Sequence, residues 1–333
     1  MPDCAGSFQH GVPVSARFDW LLFLLLSFFW GSSYLFIKIG VDAGLAPFTL
    51  VALRLFVGFV LLAVVVGAAR EPLPRDGRTY CHLIVLGFFS VALPFSLITW
   101  AEVHVDSALA ATLTAPVPLF VIPIAALMLR DERITLAKVA GVTIGLVGVA
   151  VLVGFDVTTI GRTDLTPQLA LIGAAMSYAL GGVYARRFVH GLRPMIPALF
   201  QVLFAMLMAA AAALVVERPS ALLELLSFHA VFAVVWLGLF GSGMAYLLFY
   251  RLLGAWGPTR VSLVAYLLPV WGIALGALVL SEVIHEGLLI GTALVIGGIA
   301  LVNLQSLRAL VTSRRAEPAE PEVAAIAEAS EPR

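Results

Sequence analysis

The chain has 333 residues, 61% of them hydrophobic and only 12% charged, and its 20 basic and 20 acidic side chains cancel to zero net charge. Soluble domains are about 45–50% apolar and about 25% charged, and a water-soluble fold of this size has no core able to hide so much apolar surface. Lipid is the solvent this composition demands, and zero net charge excludes a polyanion such as nucleic acid as a partner attracted by bulk electrostatics.

A helix crossing about 30 Å of hydrocarbon needs roughly 17–25 mostly apolar residues. Taken in chain order, the stretches that qualify are about 18–39, 47–69, 82–100, 107–129, 135–154, 166–185, 196–216, 230–250, 258–280 and 286–306. The reading is an all-α integral membrane protein with ten transmembrane helices. The first stretch is longer than the roughly 7–15 residues of a signal-peptide apolar region. No small-residue cleavage site follows Gly40, so it reads as a span.

Loop cations orient the spans, because Lys and Arg collect on the cytoplasmic side. With a cytoplasmic N-terminus the inside segments carry Arg17, Arg70, Arg75, Arg78, Arg130, Arg133, Lys138, Arg186, Arg187, Arg193, Arg251, Arg308, Arg314 and Arg315. The outside segments carry only Lys38, Arg162 and Arg218. Both termini are therefore expected in the cytoplasm: a tail over 1–17, and a Glu-, Pro- and Ala-rich tail over 307–333 too poor in large apolar residues to order itself.

The halves repeat. Residues 86–100 lie over 237–251, Pro118 over Pro269, Pro47 over Pro194, and Glu132, Gly141 and Gly148 over Glu282, Gly291 and Gly298. This divides the chain into a first repeat, 18–154, and a second, 155–306. Each holds five spans, an odd number, so the second must enter the membrane from the opposite side. Two five-helix repeats of inverted topology, an arrangement that recurs in transporters, are the expected architecture.

The first span reads FWGSSYLFIK over 29–38, the second carries Pro47 and Arg54, and spans three to five read ALPFSLITWAEVHVDSALAATLTAPVPLF…LRDERITLAKVAGVTIGLVGVAVL. These segments resemble the EamA-type permeases of the drug/metabolite transporter superfamily, from about residue 18 to 306. The second half departs from the pattern, with Tyr178 where Trp30 sits and Gln201 where Arg54 sits. The resemblance implies a ten-helix bundle with a central cavity between the halves. It also implies transport of amino acids, other metabolites or drugs, often outward as efflux across a plasma or inner membrane.

Among candidate site residues Arg54 is the sharpest, because it sits about seven residues, or roughly 10 Å, past Pro47 into the second span. A cation at that depth costs a few kcal/mol and must face protein or a watery cavity. Its ordinary roles are snorkelling to the outer surface or binding neighbouring carbonyls; a substrate contact is the alternative. Trp30, Ser33 and Tyr34 form with Gly31 and Ser32 a small, polar face on the first span, suited to close packing. The resemblance adds a pathway-lining role for Trp30, Ser33 and Tyr34, with Tyr178 as a counterpart in the sixth span. Thr112, Tyr246 and Tyr266 complete the expected pathway, together with Thr114. Proline kinks a helix and frees a carbonyl, which makes the matched pair Pro118 and Pro269 a candidate hinge. Gly141, Gly145 and Gly148, with Gly291 and Gly298, form small-residue faces for helix packing or a dimer surface.

No Asp or Glu falls in the interior of any predicted span, which favours gradient-driven or exchange transport over a proton relay. Glu102 and His104, at the outer edge, are the remaining coupling candidates. Cys4 and Cys81 form neither an evident disulfide nor a metal pair. The six histidines are scattered, and no HExxH, GxSxG or DxxD-type motif is present. No catalytic residue, metal site or cofactor is expected. The alternatives, a membrane-embedded lipid-processing enzyme or a non-transporting receptor, lack the residues or the need for the repeat. The expectation is a carrier of a small solute, acting as a monomer or homodimer in the lipid bilayer.

Overall fold

The computed structural model describes residues 16–128, 135–153, 165–189, 191–218, 227–261 and 263–302, without the side chains of 16, 17, 254 and 257–260. Cys4, Arg130, Glu132, Arg133, Arg162, both predicted tails apart from residues 16 and 17, and the Arg260 side chain lie outside the described residues. The helices are α1 (Ala16–Asp42), α2 (Pro47–Ala68), α3 (Gly77–Ala101), α4 (Ser107–Met128), α5 (Leu136–Leu152), α6 (Thr166–Phe188), α7 (Met195–Glu217), α8 (Phe228–Trp236, Leu237–Met244 and Ala245–Val261 in succession), α9 (Val264–Val279) and α10 (Glu286–Val302). There is no strand among the described residues. Seven of the helices are long and apolar enough to cross a membrane; α5, α9 and α10 are shorter apolar helices of 16 or 17 residues.

Helix starts follow from local chemistry. Pro47 opens α2, where its missing N–H costs nothing. Asp76 caps α3 by accepting from the Thr79 N–H at 2.6 Å and the Thr79 hydroxyl at 2.7 Å. These bonds hold the Asp76 carboxyl below the usual carboxylate range. The cap starts α3 at Gly77, five residues before the predicted span, because its first turn is polar and reads as loop. The eighth helix likewise runs on to Val261 instead of ending near 250, so the predicted start of the ninth span falls inside α8. Arg251, which looks like a terminus in the sequence, instead lays its guanidinium over the Phe18 ring at 5.4 Å while exposed.

Two helix starts are capped from afar. Glu217, at the end of α7, accepts from the Phe48 and Thr49 N–H groups of α2 at 2.7 and 2.8 Å. Glu282 accepts from the Ser107 and Ala108 N–H groups of α4 at 2.9 and 3.0 Å. Carboxylates at these positions satisfy orphan donors and the positive end of the helix dipole together. Beyond the other end of α2, Glu71 pairs with Arg193, just ahead of α7, at 2.7 Å. The start of α2 thus meets the end of α7, and the end of α2 meets the start of α7: the two helices are antiparallel.

The same holds for α5 and α10. A Cβ on Gly141 would lie 2.6 Å from the Gly298 carbonyl oxygen, and one on Gly148 would lie 2.9 Å from that of Gly291. Gly145 packs on Leu119 of α4 and also faces Gly298. The predicted small-residue faces therefore meet each other within one chain, with backbones touching. A π-helical segment interrupts α3 over Phe88–Ala92, directly ahead of Pro94, and a second interrupts α8 over Leu237–Met244. Under the repeat alignment the two occupy matching positions, and π segments of this kind often mark functional sites.

Candidate functional site

A cavity of about 660 Å³ lies among the helices, its wall formed by α1 to α6 and α8 to α10 but not α7. That volume is ordinary for a small-molecule site. From α1 it takes Trp30, Ser33, Tyr34 and Ile37, one face at helical spacing. The opposite face of α1 is structural: a Cβ on Gly31 would run into Trp271, whose indole N–H donates to the Ser27 hydroxyl at 3.0 Å, and Trp236 donates to Ser32 at 3.2 Å. The small and polar residues of the first span thus divide between packing and cavity.

Of the residues expected on the pathway, Trp30, Ser33, Tyr34, Arg54, Tyr178 and Tyr246 line this one space. Thr112 does not: it is buried, donates to the Ala108 carbonyl at 2.9 Å, and packs beside Thr292. Tyr266 packs against the apolar core away from the wall. Pro118 lines the cavity just past an interruption of α4 at Ala115 and Pro116, whereas Pro269 is buried within an unbroken α9.

Residues not expected there also contribute, among them Phe95, Gly241, Phe249 and Lys138. The repeat itself contained the signal for two of them. Laying 86–100 over 237–251 pairs Phe95 with Tyr246 and Ile98 with Phe249, and all four are on the wall. Thr114 and Ala265, which share the register of Pro118 and Pro269, are on the wall as well.

On the wall the Tyr34 and Thr114 hydroxyls meet, 2.6 Å apart. One turn further along α1, Lys38 donates to the Glu102 carbonyl at 3.0 Å and pairs with Asp42 at 3.4 Å. The Glu102 side chain is fully buried, and neither carboxylate oxygen has a hydrogen-bond partner among the described residues. Burial holds that carboxyl well above the usual carboxylate range, with the Lys38 charge pulling the other way. The wall also includes Lys138, in the first turn of α5, and Val302, the last residue of α10.

Arg54 is only 2% exposed, and its guanidinium lies over the Phe95 ring at 4.3 Å. It does not snorkel, and no hydrogen bond or ion pair joins it to any described residue; its buried Nε is without a partner. Both ordinary roles expected for this cation are therefore set aside by the structure. Gly241, in the π segment of α8, makes room for it, since a Cβ there would lie 3.1 Å from Arg54 Nη2 and 2.7 Å from Ser33 Oγ.

The model of the EamA-like transporter family matches this chain twice, over residues 18–154 and 165–304. The chain belongs to the EamA-like transporter family. The two matched units are the halves whose counterpart residues share the cavity wall. The chain is 28% identical over 280 residues to the uncharacterized inner membrane transporter YedA of Escherichia coli (strain K12), covering 83% of this chain and 87% of YedA. It is 24% identical over 306 residues to a protein of Salmonella typhimurium named as a probable amino-acid metabolite efflux pump, covering 90% of this chain and 99% of that one. A solved crystal structure shares its fold with a TM-score of 0.63 at 24% identity, over 89% of this chain and 99% of that one. This EamA-like protein is thus a multi-pass membrane transporter rather than an enzyme.

Proposed function

We propose that the protein carries a small amphipathic solute, amino-acid-like or a drug, out of the cell by alternating access at the central cavity. In this reading ten helices cross the plasma or inner membrane, the two five-helix repeats have inverted topology, and both termini are cytoplasmic. The antiparallel packing of the counterpart pairs α2/α7 and α5/α10 supports the inversion, because a two-fold axis in the membrane plane reverses each helix onto its counterpart. The shorter α5, α9 and α10, at about 1.5 Å per residue, reach roughly 25 Å and need only modest thinning or snorkelling to span.

The observation that carries the reading is a cavity of about 660 Å³ whose wall draws matched residues from both repeats. A site on the pseudo-symmetry axis is open to one side when one repeat is in one conformation, and to the other side when the two exchange. The Tyr34–Thr114 contact with Lys38 and Glu102 around it is the closed outer end, and Lys138 and Val302 mark the cytoplasmic end. Pro118 and Pro269 serve as the hinges. Trp30, Ser33, Tyr34, Arg54, Tyr178 and Tyr246 contact the solute.

Reconstitution in liposomes with a panel of radiolabelled amino acids and metabolites tests this. At least one solute should move faster than in empty vesicles. An Ala265→Trp variant, which fills the cavity from α9, should abolish the flux while the protein still folds. Flux equal to that of empty vesicles across the panel, or undiminished flux in Ala265→Trp, would refute the proposal.

A further inference from the structure

We propose that Arg54 is an anion anchor and that the cavity selects solutes bearing one carboxylate on an apolar body of aromatic size. The inference rests on the cavity being the solute site and adds to it a charge and a chemical class.

A guanidinium carries five N–H donors and no acceptor, and a buried charge without partners is among the costliest arrangements in a protein. Arg54 is 2% exposed and makes no hydrogen bond or ion pair with a described residue. No Asp or Glu lines the cavity among the described residues. Glu102, buried but not on the wall, makes no ion pair with it. The compensating charge must then come from whatever occupies the space.

The geometry favours a carboxylate. The Phe95 ring under the guanidinium accepts no conventional hydrogen bond, so the N–H donors of Arg54, unpaired with any described residue, are left for the two parallel bonds a carboxylate accepts. A multiply charged phosphate asks for a second cation beside the first; the other charged wall residue, Lys138 in the first turn of α5, is not among the groups whose charge acts on Arg54. Phe95, Trp30, Tyr246 and Phe249 make the neighbouring wall aromatic, which suits an apolar ring or chain. Gly241 keeps the space beside the guanidinium empty.

The full-length protein in nanodiscs, titrated with 3-phenylpropionate, 3-phenylpropionamide and 3-phenylpropylamine and followed by tryptophan fluorescence, tests the charge. The wild type should bind the carboxylate roughly tenfold or more tighter than the amide, a difference of about 1.4 kcal/mol, and the amine weakest. Arg54→Gln should lower carboxylate affinity to that of the amide, and Arg54→Lys should keep part of the preference. The wild-type series decides even if Arg54→Gln does not fold. Equal binding of carboxylate and amide, no carboxylate binding, or a folded Arg54→Gln that still prefers the carboxylate overturns the proposal. Charge-selective binding without liposome flux would refute the transport mechanism and leave the anchor standing; flux of a solute by a protein that binds without charge preference would do the reverse.

Discussion

The glycine seam between α5 and α10 can be tested with two neighbouring substitutions on α10. A Cβ at Gly298 would lie 2.6 Å from both the Gly141 carbonyl oxygen and the Gly145 nitrogen, whereas ordinary contact begins at 3.4 Å. Both obstacles are backbone, so no side chain can swing aside, and Gly298→Ala requires the helices to separate by about 0.8 Å, the difference of those two distances. Overpacking of this kind costs about 1–3 kcal/mol. Gly297 is exposed, and a Cβ there meets nothing within 4 Å. Both variants gain the same helix propensity, up to about 1 kcal/mol, so comparing them cancels that gain. Thermal unfolding of the purified protein should show Gly298→Ala below Gly297→Ala by several degrees, at about 2–4 °C per kcal/mol. Both variants should have the same oligomeric state by size-exclusion with light scattering. Equal midpoints would refute the seam, and a changed oligomeric state in Gly298→Ala alone would mean that the glycines face a second copy instead.

Glu282→Ala leaves the N–H groups of Ser107 and Ala108 without their acceptor and should cost about 1–2 kcal/mol in thermal unfolding, with Glu282→Gln losing less because it keeps an acceptor oxygen. Gly241→Ala places a methyl group against Ser33 Oγ and Arg54 Nη2 and should weaken 3-phenylpropionate binding several-fold with little change in the unfolding midpoint; unchanged affinity would show that the guanidinium edge is not where the carboxylate sits. Glu102 should make the folded protein more stable in acid. Its carboxyl is raised by burial from an ordinary 4.5. Below that value folded and unfolded states both hold the proton and stability is complete; as pH climbs towards the raised value only the unfolded state ionises, and stability falls. Unfolding midpoints measured across this range should decline for the wild type and stay flatter for Glu102→Gln; parallel curves would refute it.

Much of the architecture was legible in the residues because lipid imposes a coarse rule. Every crossing segment must be long, apolar and helical, so the stretches stand out by composition, and the loop cations and repeated prolines and glycines organise them. The structure moved the limits where composition misleads. The polar first turn of α3 is helix because Asp76 caps it, and α8 continues past Arg251 to Val261 with that side chain exposed over Phe18. The resemblance pointed to Trp30, Ser33 and Tyr34, the repeat to Tyr178 and polarity to Tyr246, and the fold brings them to one space. Thr112 and Tyr266 have the same chemistry, but their direction on the helix turns them into packing.

The number and character of the apolar segments, the duplication and the family resemblance belong to the sequence by itself, because each depends only on residue type and spacing along the chain. The tertiary structure decided the state of the charges. That Arg54 stands on Phe95 with no hydrogen-bond or ion-pair partner among the described residues, that the buried Glu102 oxygens are unbonded among them, and that Glu217 and Glu282 cap helices far along the chain are facts about which distant groups meet. Charge is costly or useful in lipid according to its neighbours, and those neighbours lie up to 175 residues away, beyond the reach of any local pattern.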